Sequence, residues 1–129
     1  MNPKFKEIMP QSGEEIIRQY FKCVEEKDVE GALELFDSDA IIYEPFSNIS
    51  EGLRGRSSIE PFLRVAMMAN SNFRRSIDLQ RRSANGNTIE ALVTFEKGDK
   101  TLGKFTFEFT SEEPNPRGQL KIKVLHIKF

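Results

Sequence analysis

A glutamate closing an apolar run and a tyrosine on an apolar helical face are the residues of this 129-residue sequence whose types could do chemistry. Glu44 follows Ile41, Ile42 and Tyr43 and precedes Pro45. A carboxylate held in such surroundings loses hydration and its pKa rises, which suits it to take a proton from a carbon beside a carbonyl. The plainer alternative is a strand-end carboxylate facing water. Tyr20 stands among Ile16, Ile17, Phe21 and Val24. Its hydroxyl is a donor for an oxyanion that develops during such a proton transfer. Alternatively its ring simply completes a packed helical face.

The other reactive types stand alone. His126 is the single histidine; it shares a strand face with Ile122 and Val124 and reads as a packed or interfacial residue rather than an acid/base catalyst. Cys23 is the single cysteine, so no internal disulfide forms, no Cys/His metal cage can be assembled, and without a histidine partner no reactive thiol is expected. Arg75 and Arg81 fall in step with Ile77 and Leu79, placing a guanidinium at each end of an apolar stripe. Such a cation either meets an acidic ligand at a pocket rim or snorkels to solvent. Phosphate-binding glycine loops, nucleophile elbows and spaced carboxylate pairs are absent.

These residues must be positioned by one domain, since the length leaves room for a single core. Lys and Arg number 19 against 20 Asp and Glu, but the segment 1–51 carries 5 basic and 12 acidic residues and the remainder 14 and 8. The basic residues are dispersed rather than gathered in a stripe interleaved with aromatics, so no nucleic-acid partner is expected. No apolar run is long enough to span a membrane and no signal peptide is recognisable, which makes a cytoplasmic setting the default expectation. Eleven of the thirteen aromatics are Phe, suited to filling a core or lining an apolar cavity.

Residues 1–11 read as a leader segment and 12–129 as the domain. Ser12 and Glu15 form a capping box, which predicts a helix whose apolar stripe runs from Ile16 to Val24. Asp28 caps a second helix to about Phe36. A strand over Ala40–Phe46 and a loop over 47–56 follow. Ser57 and Glu60 repeat the box spacing, with Pro61 in the first turn of a helix reaching about Ala69. From Phe73 the period becomes two. Asn85-Gly86 marks a hairpin, Gly98-Asp99 a second turn, and Leu120–Phe129 a last strand, giving a four-strand antiparallel meander. Helices segregated from a meander make an α+β domain, with the helices on one face of a curved sheet.

The run Tyr20-Phe21, Asp28-Val29-Glu30-Gly31-Ala32-Leu33, Phe36, Asp39-Ala40, Glu44-Pro45-Phe46 and Gly55-Arg56-Ser57-Ser58-Ile59 resembles the nuclear-transport-factor-2-like superfamily, which includes ketosteroid isomerases and SnoaL-like polyketide cyclases. The resemblance spans roughly Glu14 to Phe129. It implies a cystatin-like cone, three N-terminal helices packed on a curved antiparallel sheet. Within the superfamily the segment is most similar to ketosteroid isomerase, whose helix-1 tyrosine matches Tyr20 and whose general base, usually Asp, matches Glu44. The acid that supplies that family's second oxyanion donor aligns near Phe107, where no acid stands. Arg56 matches the residue that anchors the loop before helix three.

The cone should enclose an apolar cavity entered near Glu44. Its expected lining is Tyr20, Val24 and Ile42, with Phe62 and Met67 from the third helix and Ile77, Val93, Phe107 and Ile127 from the sheet. Two functions follow. One is a cofactor-independent isomerase, lyase or cyclase in which Glu44 shuttles a proton on a small apolar molecule. The other is a non-catalytic ligand-binding or assembly module. Neither needs a metal. The resemblance implies a homodimer through the outer face of the sheet, where Leu92 and Leu125 are expected to supply apolar contact.

Overall fold

In the computed structural model of the chain, residues 12–69, 73–83, 87–110 and 120–129 are described, Arg81 by its backbone alone. The leader, the Asn85-Gly86 turn and the loop before the last strand lie outside them. Helix α1 covers Gly13–Glu26, and both halves of its capping box are made: Glu15 N–H donates to Ser12 Oγ at 3.1 Å and Ser12 N–H to Glu15 Oε1 at 3.1 Å. It ends at Lys27, whose left-handed φ of 58° lets Asp28 N–H reach Cys23 O at 2.8 Å. Asp28 then caps α2, Val29–Leu33, by accepting from Gly31 N–H at 2.9 Å.

The second helix stops three residues short of Phe36, which instead opens β1, Phe36–Tyr43. A Phe three residues after Leu33 suits a helical stripe as well as a strand end. Pairing decides between them: Phe36 is registered with Ile122, and Ile122 N–H donates to Leu35 O at 2.8 Å. Between Phe36 and Ile41 the register shifts, where Asp39 N–H turns back onto Asp37 Oδ2 at 3.0 Å. The expected loop contains a two-residue strand, β2, Leu53–Arg54, paired with Ile41 and Ile42.

Helix α3, Arg56–Ala69, begins one residue before the expected cap, with Gly55 O accepting from Ser58 and Ile59. Pro61 therefore sits in the second turn, and the amide bond it cannot make is the one to Ser57, an exposed residue whose carbonyl water can reach. Arg56 anchors this start by donating from Nη2 to Phe36 O at 2.7 Å.

The remaining strands are β3 (Arg74–Arg82), β4 (Thr88–Lys97), β5 (Asp99–Phe109) and β6 (Ile122–Lys128), with Gly98 at φ +85° making the turn between β4 and β5. The sheet order is β2-β1-β6-β5-β4-β3. All neighbours are antiparallel except β1 and β6, which run parallel, so the sheet is mixed rather than wholly antiparallel. Three helices are present among the described residues, two of them long, and α3 follows β1 and β2 rather than preceding the whole sheet.

Alternation governs which side chains face the helices: Ile89, Ala91, Val93 and Phe95 on β4, and Phe105, Phe107 and Phe109 on β5, are buried. A register shift between Glu108 and Phe109 changes the phase of β6. Ile122, Leu125 and Ile127 all turn inward, while Val124 and His126 turn outward. Leu125 is thus in the core, contrary to its expected place on the outer face. Helix α1 rests on β4 and α3 on β1 and β2. At the far edge Arg82 of β3 clasps Glu14 of α1 at 3.0 Å.

Candidate functional site

Between α1, α3 and the ends of β4, β5 and β6 lies a hollow of about 590 Å³. Helix α1 contributes Tyr20, Phe21 and Val24; α3 contributes Phe62, Val65, Ala66 and Ala69; the sheet side supplies Phe73, Phe95, Thr101, Phe105, Ile127 and Phe129, and the segment after β1 adds Phe46. Eight of these fourteen residues are aromatic and none is charged, so a guest meets ring faces and edges almost everywhere. Among the described residues of the wall, side-chain hydroxyls belong only to Tyr20 and Thr101.

Of the expected lining, Tyr20, Val24, Phe62 and Ile127 are on the wall. Ile42, Met67, Val93 and Phe107 are buried in the packed core, and Ile77 is half-buried against it. These residues face inward but lie deeper along their elements than the hollow. Phe107 faces the helices as Phe105 does, but two residues further along β5 its ring is covered by Tyr20 at 5.8 Å and Phe109 at 6.3 Å. On α3 the stripe Ile59, Leu63 and Met67 packs on the sheet, and the adjoining stripe Phe62, Ala66 and Ala69 makes the wall. Phe95 and Phe105 were recoverable from the alternation of β4 and β5. Phe46 and Phe129 lie beyond the observed ends of their strands, although in the expected strands Ala40–Phe46 and Leu120–Phe129 each is in step with an inward residue, Ile42 and Ile127.

Tyr20 is 3% exposed, and its ring is held edge-on by Phe21 at 5.0 Å, Phe36 at 6.1 Å and Phe107 at 5.8 Å. Burial pushes the phenol well above its ordinary range, against the pull of the nearby Arg75 guanidinium. Among the described residues no hydrogen bond holds its hydroxyl. Arg75 is half-buried on the inner side of β3, where desolvation lowers its pKa and Glu25 and Tyr20 oppose that. It flanks the wall without forming part of it. The side chain of Arg81 lies outside the described residues.

Glu44 is half-buried just past β1, and its carboxylate serves the turn that follows. Oε1 accepts from the N–H of Phe46 at 2.7 Å and of Ser47 at 3.2 Å, and Oε2 accepts from the Ser47 hydroxyl. It is not among the wall residues. His126 is on the opposite face of the sheet, stacked on Tyr43 at 4.6 Å with the rings 18° apart. Cys23 is buried; desolvation and the Asp28 carboxylate push its thiol up, away from reactivity. Among the described residues no three His, Cys, Asp or Glu side chains converge as metal ligands, and no helix is long and apolar enough to cross a membrane.

A family model of the SnoaL-like domain matches residues 17–113. No curated protein matches the chain. Solved structures share the fold at low identity. The epoxide hydrolase/cyclase-like enzyme SalBIII, of pyran ring formation in the polyether salinomycin, superposes with a TM-score of 0.68 at 20% identity over 88% of this chain and 87% of its own. A protein with cystatin-like fold from Methylobium petroleophilum gives 0.66 at 21% identity, over 92% and 78%. A computationally designed 17-OHP binder gives 0.61 at 19%, over 88% and 88%.

Proposed function

Because the chain belongs to the SnoaL-like domain family, matched over residues 17–113, we propose that its hollow receives a small, uncharged, largely aromatic or polycyclic molecule carrying an oxygen acceptor for Tyr20. The observation that carries this reading is the composition of the wall among the described residues: eight aromatic side chains, two hydroxyls and no charge. A ligand with an ionised group would lose its hydration there and meet no charged partner among the described wall residues, a cost of several kcal/mol. The volume of about 590 Å³ falls within the range of small-molecule pockets, roughly 300–1,000 Å³.

In the catalytic form of the reading, a cofactor-independent isomerase, lyase or cyclase, Tyr20 donates to the oxygen on which charge develops and Glu44 takes the proton. In the non-catalytic form Tyr20 alone fixes the ligand's orientation. Binding is the function the geometry supports best, because Glu44 lies off the wall with both oxygens engaged by Phe46 and Ser47, and the described wall residues include no carboxylate, histidine or lysine. The family match and the likeness to a cyclase-like enzyme support the catalytic form as the second reading.

The test is a matched pair of fluorescent probes with one carbon skeleton, neutral N-phenyl-1-naphthylamine and the anionic 1-anilinonaphthalene-8-sulfonate. The neutral probe should bind about tenfold or more tightly than the sulfonate, and an Ala66→Trp variant, which fills the hollow, should lose it. Equal binding of the two probes would refute the assignment.

We propose further that the outer face of the sheet pairs two copies of the chain. On β5 the outward side chains Lys104, Thr106 and Glu108 are evenly spaced about Thr106, and their neighbours on β6 are Lys128, His126 and Val124. A twofold axis along the Thr106–His126 row would lay the lysine row of one copy over Glu108 of the other. Leu92 and Val124, both half-buried on that face, supply the apolar contact in place of Leu125.

A further inference from the structure

Two rings that stand outside the packed core border the hollow. Phe46 is 70% exposed and Phe129 is 57% exposed, yet both line the hollow, and their centroids are 5.6 Å apart. They come from segments remote in sequence. β1 and β6 run parallel with Tyr43 opposite His126, so the chain beyond each strand emerges at the same end of the sheet. Phe129 is seated by the sheet: it touches Phe95 at 6.0 Å and Phe105 at 6.4 Å. Its ring also lies over Gly103, where a Cβ would come within 2.8 Å of it.

Phe46 has no such seat, and its position depends on a turn. That turn is tight, with Asn48 in the left-handed region at φ 58°, and its amides are collected by one side chain. Glu44 accepts from the N–H of Phe46, the N–H of Ser47 and the hydroxyl of Ser47. An ionised carboxylate that gathers adjacent backbone N–H groups fixes the direction in which the next side chain leaves the backbone.

We propose that Glu44 is a positioning residue, a latch that holds Phe46 against Phe129 as one leaf of an aromatic shutter and so sets the rate at which ligand enters and leaves. This rests on the reading that the hollow takes a ligand. It also gives the carboxylate a task different from proton transfer, and the two tasks separate cleanly on substitution. A base is destroyed by Glu44→Gln, whereas a latch survives it, because the amide oxygen still accepts from Phe46 N–H.

The experiment is stopped-flow displacement of N-phenyl-1-naphthylamine from the full chain, with amide hydrogen exchange at Phe46 and Ser47 as a readout that needs no ligand. Glu44→Ala should speed probe release about tenfold, the scale of losing a charge-assisted hydrogen bond, and deprotect both amides. Glu44→Gln should restore most of both, and Phe46→Ala should release the probe as fast as Glu44→Ala. In the double variant Glu44→Ala/Phe46→Ala the two effects should not add, since both act on one ring. Unchanged release in Glu44→Ala, or full additivity with Phe46→Ala, overturns the proposal. A chain that binds no probe overturns the binding reading and the exchange role together, and the amide measurement then decides separately whether Glu44 positions the turn.

Discussion

Replacing Tyr20 by Phe separates a hydroxyl that serves a guest from a ring that serves the core. The three edge-on contacts with Phe21, Phe36 and Phe107 belong to the ring and survive the change. The hydroxyl lacks a protein partner among the described residues, and withholding such a group from water costs about 1–3 kcal/mol. Because this one borders the hollow, the lower end applies. The variant should be as stable as the parent or more stable by up to about 1 kcal/mol, roughly 3–6 °C in Tm for a chain of this length.

Ligand affinity should move the other way, and only for ligands that accept. A net hydrogen bond of about 0.5–1.5 kcal/mol corresponds to a roughly 2- to 12-fold loss. Displacement of the neutral naphthylamine probe by 2-acetylnaphthalene and by 2-ethylnaphthalene measures this directly: the ketone should weaken by that factor and the hydrocarbon should not. The same substitution has an alkaline signature. Burial keeps the folded-state phenol above its ordinary value of 10.0. As pH rises through that value the unfolded chain loses its proton first, binds fewer protons than the native state, and stability falls. Tyr20→Phe should flatten the loss of Tm above about pH 10. Equal loss of ketone and hydrocarbon binding, or no loss of either, would refute the donor role.

Two further outcomes follow from the same geometry. Gly103→Val should drive Phe129 off the sheet, since a Cβ at that position meets its ring at 2.8 Å, and should speed probe release without abolishing binding; unchanged release would mean that Phe129 does not cover the mouth. For the outer face, sedimentation equilibrium should show a dimer that Lys104→Glu or Glu108→Lys weakens and that the double charge swap restores. A monomeric parent, or a swap that fails to rescue, would exclude the antiparallel stacking proposed.

What the sequence disclosed was whatever local chemistry dictates. The Ser12–Glu15 box, the Asp28 cap and the alternation of β4 and β5 are written within a few residues of each other, and each is present as read. What stayed hidden depends on partners far along the chain. Phe36 becomes a strand residue because Ile122 pairs with it. Leu53 and Arg54 form a strand only against Ile41 and Ile42, and the shift at Glu108 and Phe109 turns Leu125 inward. The site was legible to the same extent. Tyr20, Val24, Phe62 and Ile127 follow from helical and strand periods, whereas Phe46 and Phe129 take their places from the parallel pairing of β1 and β6.

That parallel pairing also bears on how the molecule assembles. The two halves of the lip are separated by more than half the chain, so forming it requires closing a long loop, an entropic cost that contacts elsewhere repay only once the meander is in place. The rim should therefore be acquired late in folding and yield first in sub-global opening, while the floor built on α1, β4 and β5 stays closed. A recess whose base is firm and whose entrance is the least cooperative part of the fold can admit a bulky guest without unfolding around it.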